Sequence, residues 1–230
     1  MYERSDPSRA RIAAEWDGGV SWIAHPDEGG QRASHAIQTG DDVWLFDPLH
    51  APNVDDLISP LGEVAGIAVL LNYHARDAGA FARKYDVPVH IPEWMGRVEA
   101  RVDAPVERYT LLPNDEFQIL PRQPFPGWDE VFWYHEPSRT LVVGDTLGTM
   151  STFLIDDERL GIELFHRLVP PQQLAGIEPA RILVGHGDPV TEDATAALED
   201  ALDGARRSFP KALVENGAES FRAFAGVFID

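Results

Sequence analysis

Short apolar runs separated by polar turns recur along the chain and predict a mixed α/β fold. Strand-like runs cover residues 20–24, 33–38, 42–47, 67–71, 87–91, 130–135, 140–143 and 181–184. The run at 67–71 is apolar throughout, as expected for a short strand that is buried on both faces. Two polar stretches, at 40–42 and within 111–120, have the composition of hairpin turns.

Helical spacing lies between the strands and dominates the end of the chain. It predicts helices at 53–61, 78–85 and 158–169, an amphipathic helix capped by Thr191, and a last helix at 211–224 that is broken at Gly217. Strands joined by hairpins and strands joined through helices are therefore mixed. This order favours two sheets with helices outside them over a doubly wound parallel sheet.

Composition narrows the chemistry and the partners. The chain has 230 residues, no cysteine and a formal net charge of −19. Without cysteine, a metal site has only His, Asp and Glu side chains to use. The negative charge disfavours nucleic acid and anionic membranes, so neither is expected as a partner. Lys84 and Lys211 are the only lysines among 19 basic residues. This composition is typical of proteins from salt-loving archaea, although a GC-rich genome also favours arginine over lysine.

The domain organisation is predicted to be simple. We expect a polar, loosely attached arm at 1–18 and a single large domain at 19–230. No apolar run reaches the roughly 18 residues of a membrane-spanning helix, and the N-terminus lacks the apolar core of a secretory signal. We therefore expect a cytoplasmic protein without a membrane partner. The sequence leaves a homodimer open.

Three of the predicted buried strands end abruptly in a polar turn. They are Leu-Leu-Asn-Tyr-His-Ala-Arg-Asp at 70–77, Leu-Val-Val-Gly-Asp-Thr at 141–146 and Ile-Leu-Val-Gly-His-Gly at 182–187. A glycine directly before Asp145 and before His186 allows the backbone to turn sharply there. Ionisable side chains at the ends of core strands are a common way to build a site on rigid elements.

In order and spacing, these segments resemble the metallo-β-lactamase superfamily, which includes glyoxalase-type thioesterases. That family carries a strand–His-x-His-x-Asp-His–helix motif, then a lone histidine before a strand pair, then Gly-Asp-Thr and a late Gly-His-Gly. The resemblance extends over residues 20–205, and its most specific part is Val-Gly-Asp-Thr-Leu followed later by Leu-Val-Gly-His-Gly-Asp-Pro-Val. It implies a four-layer αββα sandwich and a hydrolase site that holds two metal ions.

The same resemblance implies that most of the family's metal ligands are lost. Laid on residues 73–78, the first motif has Tyr73 and Ala75 where the family has histidines. It keeps its aspartate as Asp77 but ends in Ala78, and no histidine stands at 123–128. One metal therefore loses all three of its histidines.

The ligands that remain belong to the other metal and are Asp77, Asp145 and His186. The resemblance thus implies one divalent ion, Zn, Mn or Fe, and otherwise no cofactor. Two carboxylates and one imidazole form a hard ligand set in which Mn and Fe compete with Zn. Candidate catalytic residues are Asp77, Tyr73 as a hydrogen-bond donor to a developing oxyanion, and His74, which occupies a spacer position of the motif.

Each candidate also has an ordinary structural explanation. Asp77 precedes a predicted helix and would serve as its N-cap. Asp145 could accept bonds from the amides of its own turn, and His186 could tie that turn without a metal. His74 could be a loop histidine. If two carboxylates do lie close together, a cation, a shared proton or a histidine has to stand between them.

Three functions remain open. We favour a divergent hydrolase-like protein with weak or no hydrolase activity that binds a small acidic or ester ligand or acts as a structural partner. The first alternative is a mononuclear metal-dependent hydrolase of an ester, thioester or lactone that uses Asp77, Asp145 and His186. The second is a metal-free binding or scaffolding protein. A serine hydrolase is disfavoured because the chain has no Gly-x-Ser-x-Gly motif.

Overall fold

The computed structural model of the chain describes residues 7–110 and 116–229, with residues 219–229 described through their backbone only. The strands are β1 (Arg11–Trp16), β2 (Gly19–Ile23), β3 (Ala33–Thr39), β4 (Asp42–Phe46), β5 (Glu63–Ala68), β6 (Val89–Pro92), β7 (Val106–Tyr109), β8 (Phe117–Arg122), β9 (Glu130–His135), β10 (Thr140–Val142), β11 (Leu147–Gly148), β12 (Gly161–Ile162) and β13 (Arg181–Leu183). The α-helices are α1 (Val54–Ile58), α2 (Ala78–Tyr85) and α3 (Ala194–Ile229), and 3₁₀ turns cover Ser59–Leu61, Glu99–Arg101, Phe165–Leu168 and Gln172–Leu174.

The first sheet has seven strands in the order β1 to β7. Strands β1 to β4 form an antiparallel meander, and β4 to β7 run parallel to one another. The β3–β4 hairpin turns at Gly40, whose φ of +62° lies in the left-handed region that glycine adopts without strain. This is the turn that the polar stretch at 40–42 predicted.

The second sheet has four strands in the order β13-β10-β9-β8. Strands β10 and β13 are parallel neighbours, and Leu141 pairs with Ile182. Because parallel strands end at the same edge of a sheet, the polar turns that follow β10 and β13 lie side by side. The register of this one strand pair therefore brings Asp145 and His186 to the same edge.

The two sheets pack face to face around a shared apolar core. The ring of Trp133 on β9 lies 5.3 Å from that of Trp44 and 5.2 Å from that of Phe46, both on β4. Helices α1 and α2 contact the first sheet, and α3 covers the second sheet with a stripe of small apolar residues. The predicted αββα sandwich is confirmed, and its layers are held together by burial of aromatic and branched side chains.

Several local predictions differ from the structure. Part of the predicted N-terminal arm, Arg11–Trp16, forms β1 and pairs with β2. The predicted helix at 158–169 is instead strand β12 followed by a 3₁₀ turn. Gly161 lies against the chain at Phe153, where an added Cβ would be 2.1 Å from the Phe153 carbonyl oxygen, so only glycine fits at this position of β12. The hairpin predicted within 111–120 falls partly outside the described residues.

The end of the chain is one long helix rather than two. Helix α3 continues through Pro210 and Gly217 without the break that the sequence predicted at Gly217. Where α3 contacts the rest of the domain, the side-chain amide nitrogen of Asn216 donates hydrogen bonds to the carbonyl oxygens of Thr152 and Leu154. Among the described residues, no helix combines the length and the apolar character needed to cross a membrane.

Candidate metal centre

Three strand ends converge at one edge of the sandwich. Asp145 follows β10, and His186 follows β13 in the second sheet. His74 comes from the first sheet, in the loop between β5 and α2. The two turns of the second sheet are joined directly, because the amide of Gly185 donates to the carbonyl of Gly144 at 3.0 Å. The site is therefore assembled across both sheets.

The side chains of His74, Asp145 and His186 form a close cluster. Nε2 of His74 lies 3.1 Å from Oδ1 of Asp145, and Nε2 of His186 lies 3.3 Å from the same oxygen. The three ligand atoms all lie within 4.8 Å of one another. Both imidazoles are buried, and the Asp145 side chain is 19% exposed. Among the described residues, no other group of three His, Asp or Glu side chains meets in this way.

In each imidazole, Nδ1 points away from Asp145 and is hydrogen-bonded to an acceptor. Nδ1 of His74 lies 2.6 Å from Oδ2 of Asp47, and Nδ1 of His186 lies 2.5 Å from the carbonyl oxygen of Gly30. A carbonyl and a carboxylate only accept hydrogen bonds, so each Nδ1 carries a proton. In the neutral rings, both Nε2 atoms therefore present lone pairs to Asp145. This is the arrangement of histidines that bind a metal, in which the second nitrogen is fixed by a neighbouring acceptor.

The cluster fits a single divalent metal ion. Oδ1 of Asp145 is buried and faces both Nε2 atoms, but neither contact has the alignment of a hydrogen bond. Electron-pair donors that face each other repel unless a cation or a proton lies between them. The separations of 3.1 and 3.3 Å also match the edge of a tetrahedron, about 3.3 Å when each ligand lies about 2.0–2.1 Å from the metal. The three residues would leave a fourth position open.

A proton on His74 competes with a metal ion for the same nitrogen. Burial lowers the pKa of His74, but the carboxylates of Asp145 and Asp47 outweigh it and raise that pKa to about 9. Burial raises the pKa of Asp145, yet His74 and His186 reverse this and hold it well below its usual range. The pKa of His186 is lowered, first by burial. In the absence of a metal, a proton on Nε2 of His74 therefore balances Asp145.

No protein-family model and no curated protein sequence matches the chain. Solved structures do match it. The metallo-β-lactamase FIM-1 from Pseudomonas aeruginosa, in a mono-zinc form, aligns with 14% identity and a TM-score of 0.59, covering 89% of this chain and 98% of its own. A metallo-β-lactamase from Pontibacter korlensis aligns with 12% identity and a TM-score of 0.61, covering 86% of this chain and 99% of its own. The chain has the metallo-β-lactamase fold.

The fold is shared with proteins of other descriptions. A fragment of a putative diflavin flavoprotein A 5 from Nostoc sp. PCC 7120 aligns with 12% identity and a TM-score of 0.61, covering 90% of this chain and 99% of its own. At such identities, the likeness establishes the architecture and says nothing about the substrate.

Within this metallo-β-lactamase fold, the predicted ligands are only partly brought together. Asp145 and His186 meet as predicted, but the third member of the cluster is His74 and not Asp77. The carboxylate of Asp77 instead accepts a hydrogen bond from the backbone amide of His50 at 2.8 Å. Asp77 also occupies the N-cap position of α2, but its side chain makes no capping bond there.

The position of His74 changes how the family motif lies on the chain. If His74 takes the place of the motif's second histidine, the first falls on Asn72, the aspartate on Arg76 and the final histidine on Asp77. This placement is one residue earlier than the alignment on residues 73–78. A one-residue ambiguity in a loop with only one histidine cannot be resolved from the sequence.

Tyr73 directly precedes His74 in the sequence, and its side chain has partners of its own. Its hydroxyl donates to the carbonyl oxygen of Gly127 at 3.0 Å, and the guanidinium of Arg97 lies 4.6 Å from the centre of its ring. The proposed donation to an oxyanion would require the hydroxyl to leave Gly127. The hydroxyl of Tyr73 therefore joins the loop at 72–77 to the loop before β9.

Sequence reasoning missed two residues that shape the site. Asp47 orients His74, and the carbonyl of Gly30 orients His186. A signal for Asp47 was present, because it follows the apolar run of β4 as abruptly as Asp145 follows β10. No pattern pointed to Gly30, because it acts through its backbone carbonyl alone.

Proposed function

We propose that this chain is a divergent hydrolase-like protein that binds one divalent metal ion on Nε2 of His74, Oδ1 of Asp145 and Nε2 of His186. One observation carries the proposal: three electron-pair donors converge at 3.1 and 3.3 Å while both outer imidazole nitrogens are fixed by acceptors. The expected substrate is a small ester, thioester or lactone, with water as the nucleophile. The expected activity is weak.

The ligand set favours zinc more strongly than the set proposed from sequence. Two imidazoles and one carboxylate are softer than one imidazole and two carboxylates, and imidazole ligands suit zinc. When bound, such an ion supplies Lewis acidity that makes water a stronger acid near neutral pH. Asp47 and Gly30 hold the imidazoles in the tautomer that metal binding requires.

Weak activity follows from what the site offers a reacting ester. Only one group of three metal-binding side chains is found among the described residues, so the oxyanion has no second metal to stabilise it. The hydroxyl of Tyr73 is bonded to Gly127 and does not replace that stabilisation. Loss of one oxyanion-stabilising interaction typically costs a factor of about 10²–10³ in turnover.

A metal-free binding protein is the second candidate, and one observation favours it. His74 lies between two carboxylates, Asp47 and Asp145, and its pKa is raised to about 9. A protonated His74 can donate to Asp47 and place its positive charge 3.1 Å from Asp145, and so stabilise the cluster without an ion. Metal and proton compete for the same nitrogen, which makes the two candidates separable by experiment.

The proposal is tested by metal-dependent hydrolysis. Apo protein would be assayed against nitrophenyl esters, acyl thioesters and lactones, with and without added zinc. We expect slow hydrolysis that requires zinc and is lost in Asp145→Ala and His186→Ala, while zinc content falls in the same variants. Zinc-independent hydrolysis, or wild-type protein that takes up no zinc at pH 8, would contradict the proposal. The second of these results would support the metal-free candidate.

A further inference from the structure

Arg76 places a positive charge beside the candidate metal centre. It lies two residues after His74 at a backbone position with a φ of +40°, which is uncommon for a residue with a side chain. Its guanidinium donates to three backbone carbonyls: those of Ala33, of Asp47 at 3.0 Å and of Gly185 at 3.1 Å. The side chain therefore links the start of β3, the end of β4 and the turn after β13.

Two of the carbonyls that Arg76 binds belong to residues that hold or adjoin the side chains of the cluster. Asp47 orients His74, and Gly185 directly precedes His186. Gly185 also lies against Asp145, because a Cβ added to it would be 2.9 Å from Oδ1 of Asp145. A guanidinium bonded to the Gly185 carbonyl is thus held close to the three ligand atoms, and arginine keeps its charge at every relevant pH.

The guanidinium of Arg76 adds one positive charge to the site. Asp47 and Asp145 are two carboxylates with little exposure, and Arg76 offsets one of them. The same fixed positive charge repels an incoming divalent ion.

We infer that Arg76 is a positioning residue that sets the cation load of the site: its fixed charge holds the cluster to one weakly bound divalent ion. This inference rests on the proposed metal site and deepens it. The guanidinium acts through its bonds to the carbonyls of Asp47 and Gly185 and through its charge.

The test separates charge from hydrogen bonding. Arg76→Gln removes the charge but keeps an amide that donates to backbone carbonyls, whereas Arg76→Lys keeps the charge and loses the planar fork. Zinc affinity of wild-type protein and both variants would be measured at pH 8 by competition with a chromophoric chelator. We expect Arg76→Gln to bind zinc at least about tenfold more tightly than wild type, and Arg76→Lys to show no such gain.

Each outcome decides between the two claims. If wild type binds one zinc ion and Arg76→Gln binds it no more tightly, the inference about Arg76 fails and the metal site stands. If wild type binds no zinc, the proposed function fails, and the inference fails with it because Arg76 then has no bound ion to weaken.

A second measurement covers the case in which Arg76→Gln does not fold alone. The thermal unfolding midpoint would be compared with and without zinc for each protein. Removing Arg76 leaves the two carboxylates with less compensation, so zinc should raise the midpoint of Arg76→Gln more than that of wild type, or be required for its folding. An equal zinc effect in both proteins would overturn the inference.

Discussion

Asp47 and His74 share a 2.6 Å hydrogen bond that determines which imidazole nitrogen faces the candidate metal centre. The other carboxylate oxygen of Asp47 accepts the backbone amide of Leu70 at 2.9 Å, so the carboxylate is fixed at both ends. The side chain of Asp47 is 1% exposed. Asp47 therefore fixes the orientation of His74 and raises its basicity.

Replacing Asp47 should weaken metal binding without removing a ligand. In Asp47→Asn, the neutral amide can still accept from His74, but the carboxylate charge that supports the imidazole is lost. We expect zinc affinity to fall about 10–100-fold, the usual effect of removing a carboxylate that holds a metal-binding histidine. Isothermal titration of apo protein with zinc measures it. Unchanged affinity would mean that Asp47 has no part in the site.

Asp77→Asn is the matched control for this experiment. Asp77 lies outside the cluster and accepts a bond from the amide of His50, which an asparagine oxygen can also accept. Zinc content and affinity should equal those of wild type. If Asp77→Asn loses its zinc, Asp77 is a ligand after all, as the alignment on residues 73–78 implied.

Glu163 should make the protein less stable as the pH rises towards neutrality. Burial raises the pKa of its carboxyl group to about 7, from an ordinary value of 4.5, although the amides of Phe165 and His166 work in the opposite direction. The folded protein therefore binds more protons than the unfolded chain between these two values. The stability associated with this proton is present below about pH 4.5 and is lost as the pH rises through about 7.

Glu163→Gln removes this titration and keeps an oxygen that can accept from Phe165 and His166. At pH 8, we expect a gain on the order of 1–3 kcal/mol in the free energy of unfolding, since one pKa unit corresponds to about 1.4 kcal/mol. Urea unfolding of apo protein from pH 4.5 to pH 8 checks this. The variant should show the flatter profile, and two parallel profiles would refute the assignment.

Arg167 anchors α3 to the loop that flanks His186. Its side chain is 1% exposed and forms a bidentate ion pair with Glu158 at 2.8 and 2.7 Å. It also donates to the Phe153 carbonyl at 2.6 Å and to the hydroxyl of Ser208. The ring of Phe153 stacks near that of His186, with 6.4 Å between the ring centres.

Arg167→Met should therefore destabilise the fold strongly. It leaves the carboxylate of Glu158 without its partner, and breaking such a buried pair typically costs about 3–5 kcal/mol. Arg159→Met is the matched control, because Arg159 is exposed and lies 4.0 Å from Asp193, so its loss should cost less than about 1 kcal/mol. Guanidinium unfolding midpoints compare the two variants. Equal midpoints would show that Arg167 contributes no more to stability than the exposed Arg159.

The fold was predictable because its strongest signals are local. The Gly-Asp-Thr and Gly-His-Gly turns each follow a short apolar strand, and two parallel neighbours need only a common register to bring Asp145 and His186 together. Strand β9 and helix α2 have the predicted bounds for the same reason.

The third member of the cluster was not predictable from local signals. Whether His74 or Asp77 faces the cluster depends on how the loop after β5 turns, and that turn includes the positive φ of Arg76. The partner of His74 depends on the parallel pairing of β4 with β5, in which Phe46 lies opposite Ala68 and places Asp47 beside Leu70. Spacing along the sequence contains neither fact.

The measurement that tests the account most directly is the zinc stoichiometry of protein saturated with zinc at pH 8 and then freed of unbound ion. Elemental analysis should give about one zinc ion per chain for wild type and for Asp77→Asn, and close to none for His74→Ala and Asp145→Ala. Two ions per wild-type chain, or zinc retained by His74→Ala, would contradict a single site built on His74, Asp145 and His186.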